Sequence, residues 1–196
     1  MLKIDGRKIH TSNQGGKRMK LLGIAGALIG NKTSIVVNEV LKRAKEAHPE
    51  LETELLFLGD YQVELVDGRP LDQYNEDTQN VIRKIKEADL YVIGSPVYQA
   101  SITGALKNLF DHLPYDVFDK KVVGLVMNGG TDRHYLVMET HLKSIVSFLK
   151  AYVPSNSVYV TVENFNQDNE IADEEIQARI KQLGTEIVSL HKKLNP

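Results

Sequence analysis

Residues 20–47 read KLLGIAGALIGNKTSIVVNEVLKRAKEA. An unbroken apolar run over 20–26 meets a turn carrying Gly26 and Gly30, then passes into helical spacing over 34–47. A run without polar alternation is the pattern of a strand covered on both faces. His48-Pro49 closes the helix, and Thr33 or Ser34 stands where a cap belongs. Strand, glycine turn and helix in that order open a parallel α/β unit. The turn also comes within one residue of the pattern G-x-x-x-x-G-K-[ST]. Gly26, Lys32 and Thr33 match, while Asn31 stands where the second glycine belongs. A worn triphosphate loop and a phosphate cradle for another ligand both fit this stretch alone.

The same alternation continues to the end of the chain. TELLFL (53–58), DLYVIGS (89–95), KKVVGLVMN (120–128) and SVYVTV (157–162) read as strands. NEDTQNVIRKIKEA (75–88), TGALKNLFDHL (103–113), YLVMETHLKSIVSFLKAY (135–152) and ADEEIQARIKQLGTEIVSLHKKL (172–194) read as helices. Five strands alternating with five helices predict an α/β fold, a doubly wound five-stranded parallel sheet in the flavodoxin-like order 2-1-3-4-5. Ligands of such sheets sit beyond the C-terminal strand ends, where the strand order reverses. The loops to weigh are therefore 26–34, 94–101 and 128–133.

Composition narrows the classes further. At 196 residues with a net charge of −2, the chain suits one domain and carries no basic stripe for nucleic acid. No apolar run reaches membrane-spanning length and no signal peptide is visible, so a cytoplasmic protein is expected. With no cysteine, disulfides, thiolate metal sites and thiol nucleophiles are excluded. Any redox chemistry then falls to a bound cofactor. Residues 1–18, MLKIDGRKIHTSNQGGKR, lack apolar periodicity. Gln14-Gly15-Gly16 can be encoded by a ribosome-binding sequence at a sensible distance upstream of Met19. Residues 1–18 are read as a leader ahead of the natural start, and 19–196 as the folded domain.

Each loop offers chemistry. The first sets Lys32, Thr33 and Ser34 at a helix N-terminus, where unpaired N–H groups and the helix dipole favour an anion. The Thr33 and Ser34 hydroxyls can donate to phosphate oxygens and Lys32 can offset charge. A nucleotide triphosphatase would add a magnesium-binding acid at a neighbouring strand end. Strands three and four end in VIGSP and VMNGG, leaving Asp60 after strand two as the sole candidate. The second loop, GSPVYQAS, is a rigid, backbone-rich surface of the kind a flat ring system needs. The third, NGGTDRH, has two glycines that let the backbone approach a ligand, and N–H groups able to form a small nest. His134 reads as a cap or pocket wall, not an acid or base.

The run P-V-Y-x-A-S-x-x-G-A-L-K at 96–107, with NGGTDRH and the Gly/Ser/Thr first loop, resembles the NADPH-dependent FMN reductase family of flavodoxin-like proteins. The run is most similar to the flavin reductases that serve two-component monooxygenases. The resemblance spans Met19 to about residue 165. It implies that Gly26, Ala27, Lys32, Thr33 and Ser34 hold the FMN phosphate. It implies that Pro96, Val97, Tyr98 and Ser101 line the flavin ring and ribityl chain. Asn128, Gly129, Gly130 and Thr131 would meet the pyrimidine edge. Relatives often carry a serine where Ala27 stands and an arginine within that loop, where Lys32 is the nearest equivalent.

The implied reaction is hydride transfer from NADPH or NADH to FMN, with no catalytic side chain and no metal. The alternatives are an FMN-containing quinone, azo or nitro reductase, and a non-enzymatic flavodoxin-type carrier. A partner monooxygenase is expected, without nucleic acid or membrane. The apolar set of helix 135–152 is broader than one sheet-facing stripe needs, which predicts a homodimer or homotetramer.

Overall fold

A computed structural model describes residues 18–196. The leader expected over 1–18 lies outside the described residues except for Arg18. Ten elements follow one another: β1 (Lys20–Ala25), α1 (Lys32–Ala47), β2 (Glu52–Phe57), α2 (Glu76–Glu87), β3 (Leu90–Pro96), α3 (Gly104–Asp111), β4 (Val122–Gly129), α4 (Lys143–Phe148), β5 (Val158–Thr161) and α5 (Glu174–Leu194). The strands pair in parallel in the order β2-β1-β3-β4-β5, as expected. No described helix is long and apolar enough to cross a membrane.

Successive strand residues face opposite sides of the sheet, so each strand feeds two cores. Leu22, Ile24, Tyr91, Ile93, Leu125 and Met127 pack with Ile82 of α2, Leu106 of α3 and Val146 of α4. Leu21, Leu90, Val92 and Val126 pack with Val37 and Leu41 of α1 and Leu183 and Ile187 of α5. That double cover is why β1, β3 and β4 read as continuous apolar runs. Register then places the site. Ala25 pairs with Gly94 and Gly94 with Val126, so the chain leaves β1, β3 and β4 at one edge.

Two elements differ from the sequence reading. Helix α1 starts at Lys32, with Asn31 as N-cap and no side-chain cap bond, so Thr33 and Ser34 lie in its first turn instead of capping it. The single helix expected over 135–152 is broken. Asp132–His134 form a 3-10 turn, Met138–Leu142 a π turn, and α4 covers only Lys143–Phe148. The wider π turn keeps Met138 and Leu142 on the face that Val146 continues, and all three are buried. After Leu149 the chain turns through Lys150 at φ 68°. Tyr152 then pairs its backbone with Lys121 and Val123, leaving the helix for the sheet.

Candidate functional site

The three loops are tied to one another by bonds that the local sequence does not announce. Gly26 N–H donates to Gly94 C=O at 2.8 Å, and Val97 N–H donates to Asn128 C=O at 2.8 Å. Thr103, the N-cap of α3, accepts from Leu106 N–H and donates its hydroxyl to Gly26 C=O at 2.5 Å. Thr33 Oγ1 donates to Asn128 Oδ1 at 2.6 Å. Asn128 therefore contacts the first loop with its side chain and the second with its main chain.

In the first loop, Gly26 is hemmed in. A Cβ there would stand 2.8 Å from Leu106 Cδ2 and 2.9 Å from Gly94 O. Ala27 is buried and Thr33 is 3% exposed. Since the Thr33 hydroxyl donates to Asn128, Thr33 can offer an anion only its backbone N–H. The first i−4 bond of α1 runs from Ile35 N–H to Asn31 C=O, so the N–H groups of Lys32, Thr33 and Ser34 come before it. Half-buried Ser34 adds a hydroxyl. Lys32 Nζ lies 4.9 Å from the Phe165 ring centroid, which steadies its charge beside the helix start. Gly30, at φ 78°, turns the chain into α1 and has open space where a Cβ would be.

The second loop is a tight hairpin. Tyr98 and Ser101 exchange both backbone bonds at 3.0 Å, and Gln99 and Ala100 between them have φ 47° and 57°. Two positive-φ residues make the turn that Asn-Gly usually fills. Non-glycine residues in sparsely populated backbone regions cost about 1–3 kcal/mol each and persist where the surroundings impose them. Pro96 is buried at the end of β3 and Val97 is half-buried, while Tyr98 is 48% exposed. The surface the hairpin offers is thus Val97, Tyr98 and Ser101, with Pro96 beneath.

The third loop separates its two glycines. A Cβ on Gly129 would fall 2.1 Å from Tyr159 Oη, which itself donates to Thr131 C=O at 2.8 Å. Gly130 has nothing within 4 Å of that position. Burial, with Asp132 adding to it, raises the Tyr159 phenol above its ordinary pKa, so it stays a donor at neutral pH. Gly129 is a packing residue and Gly130 faces open space. Thr131 accepts from Arg133 N–H and caps the 3-10 turn.

The donor set suits a phosphorylated aromatic ligand. Free N–H groups and a lysine lie at one loop, an exposed tyrosine at the next, and an uncluttered glycine at the third. Sequence reasoning missed the tie from Thr33 to Asn128, the Thr103 cap, the Tyr159 hydroxyl and His141, whose ring meets Ser101. The cap is local, and a Thr ahead of GALK is its sign. The bonds of Thr33, Tyr159 and His141, and that from Thr103 to Gly26, cross tens of residues, for which one sequence carries no local sign.

Comparison with known proteins follows the same line. The family model described as NADPH-dependent FMN reductase matches residues 19–167. A "NAD(P)H-dependent FAD/FMN reductase" of Geobacillus thermodenitrificans is 53% identical over 176 residues, covering 90% of this chain and 95% of the relative. An "NADH-dependent FMN reductase SfnF" of Pseudomonas fluorescens is 29% identical, covering 83% of this chain and 87% of its own. Among solved structures, an oxidoreductase of Corynebacterium diphtheriae superposes with a TM-score of 0.74 at 21% identity. That match covers 90% of this chain and 98% of the other, a likeness of fold.

Proposed function

The chain belongs to the NADPH-dependent FMN reductase family and is an oxidoreductase passing hydride from a reduced nicotinamide to FMN; we propose that the three tied loops are where it does so. The observation that carries this placement is Asn128, whose side chain holds the first loop and whose carbonyl holds the second. A ligand spanning phosphate loop and ring platform meets one preassembled edge, so little ordering remains to be done on binding.

In this reading the N–H groups of Lys32, Thr33 and Ser34 and the Ser34 hydroxyl hold the phosphate, with Lys32 offsetting charge. Each hydrogen bond to such a charged group contributes about 1.5–3 kcal/mol. Val97, Tyr98 and Ser101 form the ring platform, with Pro96 stiffening it from below. The backbone at Gly130 and Thr131 faces the polar edge of the ring, where N–H donors stabilise developing negative charge. When bound, the flavin supplies the redox chemistry, so the protein needs to bind and orient but not to donate or accept a proton. Gly26, Ala27 and Gly129 support the edge from behind.

We further propose that reduced flavin is delivered to a partner monooxygenase, a reading supported by the P-V-Y-x-A-S-x-x-G-A-L-K run. The protein is placed in the cytoplasm, where reduced nicotinamide is supplied. Residues 1–18 are read as lying ahead of the catalytic domain, and the family match beginning at Met19 supports this. Leu136, Phe148 and Tyr152 remain exposed on the 135–152 segment, which supports a homodimer or homotetramer joined there.

The test is NAD(P)H oxidation by the purified chain with and without added FMN. Turnover that requires added flavin is expected. Turnover with a quinone or azo acceptor on tightly retained flavin, and none with free FMN, would overturn the delivery reading.

A further inference from the structure

His141 lies on the π turn ahead of α4, outside the three loops of the edge. Its Nδ1 stands 3.0 Å from Ser101 Oγ, a hydrogen bond whose direction the imidazole tautomer sets. Two observations make this more than a surface contact. Ser101 closes the hairpin in which Gln99 and Ala100 are held at positive φ, and a strained turn persists only when contacts outside it hold its ends. The helix bearing His141 is also widened at that residue. A π turn inserts one residue into an α-helix, re-aims the side chains within it, and recurs at functional sites. Beside the pair opens a cavity of about 490 Å³, lined in part by Ser101, Gly104, Lys107, His141 and Ser144. The hydrogen bond therefore lies at the wall of an open cleft and adds to the hold that buried Ile102 and the Val97–Asn128 bond give the hairpin.

We propose that His141 is a positioning residue: its hydrogen bond to Ser101 holds the 98–101 hairpin in the shape that carries the flavin ring. This rests on the reading that the hairpin is the ring platform. The π turn is then the device that delivers the imidazole to the second loop, and the cost of the widened turn is offset by a preformed platform. His141 acts through Ser101 and needs no contact with the flavin or the nicotinamide.

The test compares His141→Ala with His141→Asn in the full chain, since the Asn amide can take the place of Nδ1. One readout is amide exchange at Tyr98 and Ser101, whose N–H groups bond each other's carbonyls; the other is FMN titration followed by flavin fluorescence. His141→Ala is expected to speed exchange at both amides and to raise the FMN Kd about three- to tenfold, the range one hydrogen bond covers. His141→Asn should restore most of both. Unchanged exchange in His141→Ala overturns the proposal, and so does a loss that Asn does not rescue. Faster exchange with unaltered FMN affinity overturns it too, and Tyr98→Ala then locates the fault. If Tyr98→Ala binds FMN normally, the platform reading itself fails; if it binds poorly, the platform stands and only the role of His141 falls.

Discussion

The hydroxyl of Thr33 donates to the side-chain oxygen of Asn128 at 2.6 Å, joining the loops that follow β1 and β4. The two residues are 95 positions apart and meet because β3, between their strands, places both loops at one edge. Thr33 is 3% exposed and Asn128 half-buried, so losing the hydroxyl takes from the Asn128 oxygen a partner it meets in a partly buried place.

Thr33→Val keeps the shape of the side chain and removes the donor. One hydrogen bond contributes about 0.5–1.5 kcal/mol net, and each kcal/mol shifts Tm by about 2–4 °C in a domain of this size. The expected result is a lower Tm with weaker FMN binding, both recovered in Thr33→Ser. Thermal melts with FMN titration check it; a Val variant equal to the parent in both would remove Asn128 as the hub of the edge.

The two glycines of the third loop should respond in opposite ways. Gly129→Ala forces a Cβ onto Tyr159 Oη and should lose stability, with Tyr159→Phe relieving part of that loss in the double mutant. Gly130→Val places its Cβ in open space and should change stability by no more than about 0.5 kcal/mol. The same change should slow flavin bleaching by NADPH in stopped flow. Normal bleaching in a folded Gly130→Val would move the ring's polar edge elsewhere.

Lys32→Glu with Ser34→Ala should weaken FMN much more than riboflavin, because only FMN presents a phosphate to the helix start. Lys32 also stacks on Phe165, so Phe165→Leu serves as the control that removes the ring but not the charge. Comparing the two ligands by fluorescence titration reads the phosphate contribution directly. Equal losses for FMN and riboflavin would sink the phosphate assignment.

A different test concerns the far end of the sheet. Glu54 on β2 meets Lys20 of β1 at 2.6 Å and Lys84 of α2 at 2.5 Å. Burial alone would raise the Glu54 pKa, but the hydrogen bonds from Lys20 and Lys84 outweigh it and leave the carboxyl below its usual 4.5. A carboxyl with a depressed folded-state pKa contributes stability above its unfolded pKa and loses it as pH falls through the folded one. Glu54→Gln should therefore cost about 0.5–1 kcal/mol at pH 7, with the gap from the parent closing in melts taken below pH 4.5. A gap that stays constant to pH 3 would show packing, not charge, at work.

Phe148 is 73% exposed on α4, in a segment that also exposes Leu136 and Tyr152. Phe148→Glu places a charge on that face and is expected to yield a smaller species by light scattering at micromolar concentration. An unchanged mass would put any association elsewhere.

Much of this was legible along the chain. The uninterrupted apolar runs of β1, β3 and β4 determined a doubly covered parallel sheet, because only strands buried on both faces dispense with polar alternation. Alternation with helices led to the strand order, and the order led to the three loops. Local chemistry also marked Lys32, Ser34, Tyr98 and Gly130 as the groups those loops could present. What the tertiary structure alone decided is which groups face outward. Thr33 reads as a phosphate donor but is turned to Asn128; Gly129 reads as half of a nest but packs on Tyr159. The helix expected over 135–152 breaks at a π turn that carries His141 to Ser101. Periodicity reports which side of an element is buried, but not which distant residue meets it there; that is settled by register and packing between strands far apart in sequence.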